Sequence, residues 1–436
     1  MTRIAIIGAG YAGMAAAVTL SAAGHTVSVF ESSRVLGGRA RKVEFGGAHI
    51  DNGQHILIGA YRDTLQLMQQ VGINPDQALL RLPLTLHYPE FKLHAPKLPT
   101  PLHLALALLT AHGLNWSEKW AAIRFMQWLK QQRFTLPADS TVTALLDAHA
   151  QPQQLRRYLW EPLCISALNT PADQASAQVF ANVLRDSLAA AREASDLLIP
   201  RINLSALFPE AAANFVQTHG GALHMRTAIS QIQHYNQGFV LEADAEGDTD
   251  DNTAAEQRYS HVIAAVGPHH LPRLLTALPS LAPVCAQVEA LHWEPIVTCY
   301  LRYSAGTRLP QPMLGLCNGY VHWVFDRGQL DGNDGLFAAV ISARGAHSDL
   351  TREALANAVH LELKALLPAL PEPLDSQVIT EKRATFACTP NLSRPTSRTP
   401  LPGLLLAGDY VASDYPATIE SAVRSGIAAA QAVING

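Results

Sequence analysis

The fold is decided by one stretch near the start of the chain, Ile4-Ala5-Ile6-Ile7-Gly8-Ala9-Gly10-Tyr11-Ala12-Gly13. Its apolar run predicts a buried strand, and the alanine-rich segment that follows predicts a helix. Gly8 permits a tight turn, Gly10 lets the backbone approach a pyrophosphate, and Gly13 lets the helix lie close to the strand. The helix N-terminus, which includes Ala12, offers N–H groups to an anion. The stretch therefore predicts a Rossmann-like α/β fold that binds a dinucleotide.

A second apolar run at residues 26–31 predicts the next strand, which ends in Glu31. A carboxylate placed about 20 residues after a glycine-rich turn can accept hydrogen bonds from a ribose diol. Its charge repels a 2′-phosphate, so Glu31 is a predicted cofactor contact and NADP is disfavoured. A secretory signal is the alternative for the apolar start, but glycines at motif spacing and an immediate second strand argue against it.

A second glycine turn, Gly37-Gly38-Arg39, follows Glu31 after five residues. Such a turn brings backbone close to a pyrophosphate or ribityl chain, and Arg39 offers a planar, permanently charged donor. The E-x(5)-G-G-R pattern resembles the flavin-binding fingerprint of the amine oxidase and phytoene desaturase superfamily. That resemblance implies FAD as the cofactor, with Gly38 and Arg39 in its site. An ordinary surface turn is the alternative for the two glycines taken alone.

The other end of the chain carries a matching pair of elements. Residues 404–409 predict a buried strand that closes on Gly408-Asp409, and residues 416–426 predict the start of a helix. The resemblance implies that Asp409 meets the ribityl or pyrophosphate region and that the backbone N–H of Ile419 points at the flavin O2. A helix N-terminus there would stabilise the negative charge of reduced flavin. A common turn and a purely structural helix are the alternative.

Three further cofactor contacts are implied by the same resemblance. Gln54 and His55 close the segment Asp51-Asn52-Gly53-Gln54-His55 and align beside the isoalloxazine ring. Ile229 follows the Gly220-Gly221 turn, in a region that contacts adenine in the superfamily.

Length and composition fit a cytoplasmic enzyme. The chain has 436 residues and a formal net charge of −4, which predicts about two or three domains and gives no reason to expect nucleic acid. Its cysteines form an odd set without a C-x-x-C pair, which predicts reduced thiols, not disulfides or a metal site. Outside the glycine-broken N-terminus no apolar run is long enough to span a bilayer. The acidic segment 242–258 is predicted to be a solvated hairpin loop, because its spacing does not match a calcium-binding EF-hand.

The flavin motifs leave two insertions. We predict a discontinuous FAD-binding domain at residues 1–75, 215–270 and 380–436, interleaved with an α+β substrate domain at 76–214 and 271–379. In the first insertion, residues 116–133 predict an amphipathic helix whose apolar face holds Phe125 and Leu129 and whose opposite face holds Lys119. This helix either caps the core or lies on a membrane surface, so peripheral contact with the inner face of the membrane is the alternative to a fully cytoplasmic protein.

The resemblance narrows around Trp160-Glu161-Pro162-Leu163-Cys164 and the segment that ends in Gln54-His55. Both look like the squalene-associated flavoenzymes, the hydroxysqualene dehydroxylases of bacterial hopanoid synthesis. The resemblance implies a long apolar isoprenoid substrate, loss of its hydroxyl as water, and delivery of hydride from reduced FAD to the allylic cation. It also implies an electron donor that reduces the flavin, which the sequence does not identify.

This chemistry requires a proton donor. Glu161 is the first candidate, because a carboxyl flanked by apolar residues keeps its proton if it is buried. His55 is the second candidate, since an imidazole beside the ring can donate a proton. An exposed glutamate at a helix start and a structural histidine are the respective alternatives. The faces of Trp160, Trp293 and Trp323 are candidates for stabilising the cation, with a plain core position as the alternative for each.

Two other functions are compatible with the motifs. A desaturase acting on a polyisoprenoid or carotenoid would use the same site with oxidised flavin. A non-catalytic prenyl or lipid carrier of the same fold would be recognised by a decayed flavin site, whereas here the glycine motifs, Glu31, Arg39 and Asp409 are intact.

Overall fold

A computed structural model describes residues 3–235, 238–244 and 257–436. Most of the predicted acidic hairpin loop, residues 245–256, lies outside the described residues.

The strands of the described residues lie in six sheets. They are β1 (Arg3–Ile7), β2 (Thr26–Glu31), β3 (Lys42–Phe45), β4 (Ala48–Asp51), β5 (Leu57–Ile58), β6 (Leu79–Leu82), β7 (Thr85–His87), β8 (Lys92–His94), β9 (Leu197–Pro200), β10 (Ala222–Met225), β11 (Ile229–Tyr235), β12 (Gly238–Ala243), β13 (His261–Ala264), β14 (Trp293–Arg302), β15 (Met313–Gly315), β16 (Trp323–Asp326), β17 (Leu336–Ser342), β18 (Asp375–Phe386) and β19 (Leu404–Leu406).

The α-helices of the described residues range from single turns to four turns. They are α1 (Tyr11–Ala22), α2 (Arg62–Gln70), α3 (Pro75–Ala78), α4 (Leu102–Thr110), α5 (Trp116–Gln131), α6 (Val142–Ala148), α7 (Gln153–Leu155), α8 (Glu161–Leu168), α9 (Ala177–Ser187), α10 (Leu204–Leu207), α11 (Pro209–Thr218), α12 (Leu271–Leu274), α13 (Ala282–Glu289), α14 (Arg327–Leu330), α15 (Arg352–Leu366) and α16 (Ile419–Ile434). A π-helix at Arg156–Trp160 leads directly into α8.

The first glycine turn belongs to a five-stranded parallel sheet in the order β10-β2-β1-β13-β19. Its central strand, β1, is apolar from Ile4 onwards because both faces are covered, and Ile4, Ala5 and Ile6 are fully buried. Helices α1 and α16 pack together on one face, so closely that a Cβ on Gly426 would lie 2.1 Å from the carbonyl oxygen of Ala12. The carboxyl ends of the strands meet at one edge, which is where such sheets bind ligands. The predicted Rossmann-like α/β class is confirmed.

The second large sheet is antiparallel, in the order β15-β16-β17-β14-β18. Side chains alternate along β14: Val297 and Cys299 pack in the cluster that includes residues of α15, whereas Ile296 faces the other side. Four strands of this sheet fall in the predicted substrate segment, and β18 crosses residue 380, the predicted boundary. The antiparallel sheet thus forms one wall opposite the carboxyl edge of the parallel sheet.

The predicted amphipathic helix is α5, and its apolar face is packed inside the protein. Ala121, Phe125 and Leu129 are buried in the main core cluster, so the cap-helix prediction is confirmed and this face is not available to a membrane. Lys119, which was predicted on the opposite face, is also among the buried residues of this helix. Its side chain is buried because its ammonium donates to the carbonyl of Leu109 at the end of α4 (2.7 Å). Within the described residues, no helix combines the length and apolarity needed to cross a bilayer.

Candidate active site

A cavity of about 870 Å³ lies at the carboxyl edge of the parallel sheet. This volume is near the upper end for small-molecule sites, which occupy roughly 300–1,000 Å³. Of the predicted cofactor-binding residues, all but Gly13 line the cavity, namely Gly8, Gly10, Ala12, Glu31, Gly38, Arg39, Gln54, His55, Ile229, Asp409 and Ile419. The structure therefore brings together positions that are more than 400 residues apart in sequence.

Two glycines of the first turn, Gly8 and Gly13, leave no room for a side chain. Gly8 has φ +105°, and a Cβ there would lie 2.6 Å from the carbonyl oxygen of Ala265 on the neighbouring strand segment. Gly13 lies behind the wall, where a Cβ would come within 1.9 Å of the Gly8 carbonyl oxygen. Helix α1 begins without a side-chain cap and without an acidic residue in its first turn. Its free N–H groups and positive dipole end therefore face the cavity ready for an anionic group.

Glu31 braces this turn. Its carboxylate accepts hydrogen bonds from the backbone N–H of Ala9 (2.7 Å) and of Ser33 (2.8 Å). Because it also lines the cavity, the same carboxylate can accept from a ligand hydroxyl through its remaining lone pairs.

The second glycine turn packs directly against the first. Gly37 and Gly38 both have positive φ, and a Cβ on Gly38 would lie 3.3 Å from the Cα of Gly10. Next to this turn, Arg39 donates to Asp409 (2.5 Å) and to the carbonyl oxygen of Ala384 (2.7 Å). The ion pair joins the two distant halves of the site, since Asp409 follows β19.

We expect Glu31→Ala and Asp409→Ala each to weaken FAD binding. The first removes the carboxylate that accepts hydrogen bonds from the glycine turn, and the second leaves the Arg39 guanidinium without its carboxylate partner. Charged hydrogen bonds contribute about 1.5–3 kcal/mol, which corresponds to roughly a 10- to 100-fold rise in Kd. Titration of apoprotein with FAD measures this, with the exposed Asp349→Ala as control. Unchanged affinity in both site variants would contradict a site shared by the two halves.

The remaining predicted contacts, Ile419 and Ile229, come from two different elements that line the cavity. Ile419 is the first residue of α16, whose N-cap Thr418 accepts a hydrogen bond from the backbone N–H of Ser421. Ile229 opens β11 and lines the wall together with Asp244.

Gln54 is held by a buried arginine. The Arg327 guanidinium donates to its Oε1 (2.5 Å), and the backbone N–H of Gln54 donates to Thr298 Oγ1 (3.2 Å). Arg327 is fully buried, pairs with Asp331, and lies 3.7 Å from Asp51. Burial raises the pKa of Asp51 to about 6, although Arg327 lowers it. The sequence offers a signal for the Arg327–Asp331 pair alone, because these two residues are four positions apart.

His55 presents its ring to the cavity in a defined orientation. Its Nδ1 lies 2.7 Å from the carbonyl oxygen of Gly53, which can only accept, so Nδ1 carries the hydrogen. Burial lowers the pKa of His55, partly opposed by this hydrogen bond. The neutral imidazole therefore presents Nε2 as an acceptor, and it becomes a proton donor only after Nε2 is protonated.

Glu161 does not line the cavity, although Leu163 and Ser166 on the same helix do. It is the half-buried first residue of α8, and burial raises its pKa while Arg156 lowers it. The geometry therefore separates the two acid candidates. Glu161 remains a prediction without a contact to the cavity.

The three candidate tryptophans are likewise divided. Trp293 and Trp323 line the cavity, and Trp323 Nε1 donates to Ser166 Oγ (2.8 Å). Trp160 does not. It is buried in the core, where its Nε1 donates to Gln151 Oε1 (2.9 Å) and its ring packs edge-to-face on Phe125.

The cavity continues from this polar region into an apolar one. Large apolar side chains line that end, namely Leu84, Leu86, Leu163, Leu184, Leu188, Leu197, Ile296, Met313, Phe325 and Val340. Asn169 stands at the wall with φ +46° and ties it to the antiparallel sheet, because it donates to Thr385 Oγ1 (2.9 Å) and accepts from the backbone N–H of Ala343 (2.8 Å). No role was predicted for Asn169, although it follows the Trp160–Cys164 segment closely.

Comparison with known proteins agrees with this geometry. The profile of the flavin-containing amine oxidoreductase family matches residues 11–434. The chain belongs to this family. It is an FAD-dependent oxidoreductase, and the two glycine turns and the uncapped helix fit FAD because they leave backbone N–H groups, not side chains, facing the cofactor. Bound FAD would be held by Gly8, Gly10, Glu31, Gly38, Arg39 and Asp409.

Several relatives match over almost the whole chain. A hydroxysqualene dehydroxylase of Zymomonas mobilis is 27% identical over 99% of this chain and 98% of its own length, and one of Rhodopseudomonas palustris is 28% identical over 98% and 97%. A probable zeta-carotene desaturase of Synechococcus elongatus is 23% identical over 99% and 98%. Among solved structures, cyclohexylamine oxidase from Brevibacterium oxydans shares the fold with a TM-score of 0.69, 18% identity and coverage of 100% and 99%.

We expect the FAD to be held non-covalently. No cysteine is among the described residues that line the cavity, and the chain has none after Cys388, which is buried. Acid precipitation of the yellow protein should therefore leave the flavin in the supernatant. Flavin that stays in the pellet would contradict this prediction.

Proposed function

We propose that this protein reduces hydroxysqualene to squalene in bacterial hopanoid or related triterpenoid synthesis. One observation carries the proposal. The predicted FAD-binding residues and a large set of apolar side chains line the same cavity. An apolar isoprenoid chain is stabilised there by burial, at roughly 25 cal/mol per Å² removed from water. The similarity to hydroxysqualene dehydroxylases along the whole chain supports this substrate over an amine.

The reaction needs a proton donor, exclusion of bulk water and tolerance of positive charge. Protonation of the allylic hydroxyl lets it leave as water, and an allylic cation remains on the substrate. His55 lines the cavity and is the donor that the geometry supports, in its protonated form. The ring faces of Trp293 and Trp323 stabilise the cation by about 0.5–2 kcal/mol each. When bound, reduced FAD supplies the hydride that completes squalene.

The proposal is tested by single turnover without an electron donor of biological origin. Holoprotein reduced with dithionite under anaerobic conditions is mixed with hydroxysqualene, and the products are separated by chromatography. We expect squalene in an amount equal to the flavin, together with reoxidation of the flavin. Absence of squalene with intact reduced holoprotein would overturn the proposal.

A desaturase is the second candidate, because zeta-carotene desaturases also match over nearly the full chain. A desaturase would act with oxidised FAD and an external acceptor, and its product would contain one more double bond than its substrate. Incubation of the oxidised holoprotein with a polyisoprenoid and an artificial quinone acceptor distinguishes the two reactions.

A further inference from the structure

Large apolar side chains are exposed on one small part of the surface. Half of the large apolar side chains that are exposed in the described structure fall within residues 102–120, each with 39–65% of its surface accessible. We call them the Leu/Trp patch, which consists of Leu102, Leu106, Leu109, Trp116 and Trp120. Soluble proteins rarely expose such a group without a binding role.

The Leu/Trp patch lies on two helices that contact each other. Leu102, Leu106 and Leu109 follow the spacing of one face of α4, and Trp116 and Trp120 lie one turn apart at the start of α5. Lys119 joins the two helices. Its ammonium donates to the Leu109 carbonyl (2.7 Å) and lies 5.3 Å from the centroid of the Trp116 ring.

The segment that carries the patch has a net positive charge. Residues 91–138 hold six basic residues and one acidic residue, in a chain whose net charge is −4. The acidic residue, Glu118, is buried. Its carboxylate accepts a hydrogen bond from the backbone N–H of Asn115 as part of the N-terminal cap of α5. Arg124 is exposed one turn beyond Trp120 on the same helix face, and Lys92 is joined by backbone hydrogen bonds to His112 just after α4.

The inner side of α4 leads towards the cavity. Leu104 and Leu108 pack against the same core cluster that contains Leu84, Leu86 and Leu188, and these three residues line the apolar end of the cavity. The helix that carries part of the Leu/Trp patch thus packs, on its inner side, against the same core cluster that borders the apolar end of the cavity.

We propose that the Leu/Trp patch docks this protein on the surface of an anionic lipid bilayer. Indole and leucine side chains enter the interfacial region, where tryptophan is favoured, and the surrounding lysines and arginine meet lipid phosphates. Docking faces α4 towards the acyl chains, so a lipid-soluble substrate would be taken up beside this helix. This last point alone rests on the proposed function.

Vesicle binding tests the proposal without any turnover measurement. FAD-loaded parent protein is sedimented with vesicles of phosphatidylcholine containing phosphatidylglycerol, and with vesicles of phosphatidylcholine alone. We expect the parent to bind the anionic vesicles, and the double variant Trp116→Ser/Trp120→Ser to bind about tenfold or more weakly, because two exposed indoles are lost. The matched control is Leu361→Ser/Leu374→Ser, which removes exposed leucines elsewhere and should bind like the parent.

A second variant tests the role of the basic residues in vesicle binding. The triple variant Lys92→Glu/Lys97→Glu/Arg124→Glu, in which Lys97 is an exposed residue shortly before α4, should remove the preference for anionic over neutral vesicles and keep the flavin spectrum. It also tests the proposal if the tryptophan variant loses FAD. Equal binding of parent and both patch variants, or no binding of the parent, would overturn the proposal. A dimer that the tryptophan variant dissociates, seen by light scattering with no vesicle binding by the parent, would instead assign the patch to a second copy. A negative result in the vesicle experiments would not change the outcome of the squalene assay.

Discussion

His55→Gln is expected to slow hydroxysqualene turnover by about 10²-fold or more, the usual contribution of a positioned proton donor. Glutamine fits a similar space but cannot deliver a proton from a cationic ring. Glu161→Gln is expected to turn over like the parent, because Glu161 does not line the cavity. The reporter is single-turnover reoxidation of reduced flavin, measured alongside squalene formation.

The pH dependence gives the same assignment a second test. Burial lowers the pKa of His55 below its ordinary value of 6.5, so the donor form is populated only at lower pH. Turnover should therefore rise as pH falls through a midpoint below 6.5, and this rise should vanish in His55→Gln and persist in Glu161→Gln. If Glu161→Gln slows turnover and His55→Gln does not, the donor is Glu161. If neither does, both assignments are wrong.

Gly13→Ala is expected to destabilise the protein by about 2–3 kcal/mol or more and to abolish FAD retention. The new Cβ would lie 1.9 Å from the Gly8 carbonyl oxygen and 3.2 Å from the Ala265 Cβ, so α1 must move away from the turn. Forced overpacking of this kind costs about 1–3 kcal/mol even when side chains can adjust, and here the contacted atom is backbone.

Gly10→Ala is the matched control for the glycine turn. Its Cβ would find the nearest atoms at 3.9 Å, an ordinary contact, and Gly10 has φ −75°. We expect this variant to unfold in urea like the parent, yet to bind FAD more weakly, because the added methyl lies on the cavity wall where the protein backbone is expected to approach the pyrophosphate of FAD. Parent-like stability and FAD retention in Gly13→Ala would show that the helix can shift freely.

The parts of the fold that could be predicted are those whose residues lie close together in the sequence. The turn at Gly8, Gly10 and Gly13 and the acid at Glu31 lie within one strand-helix-strand unit, so local pattern fixes their relation. Gly38 follows directly from the same unit. These residues line or support the cavity as expected.

The parts that could not be predicted depend on packing between distant segments. Trp160 and Trp323 have similar apolar neighbours in sequence, but one is buried beside Gln151 and the other lines the cavity. Glu161 has an apolar sequence context, yet the direction in which α8 presents it depends on the π-helix that precedes it. Nothing near Arg327 in the sequence indicates that it fixes Gln54, 273 residues away.

The bridge between Arg39 and Asp409 also has a consequence for biosynthesis. During translation, the glycine turns and Arg39 are synthesised at least 370 residues before Asp409, the aspartate that completes the site. While the intervening segments are being synthesised, the nascent chain contains only part of the residues predicted to bind FAD. Flavin capture is then a late event, and a translation product that stops before β19 would be left without it. Bound flavin thus marks polypeptides whose synthesis has passed that strand.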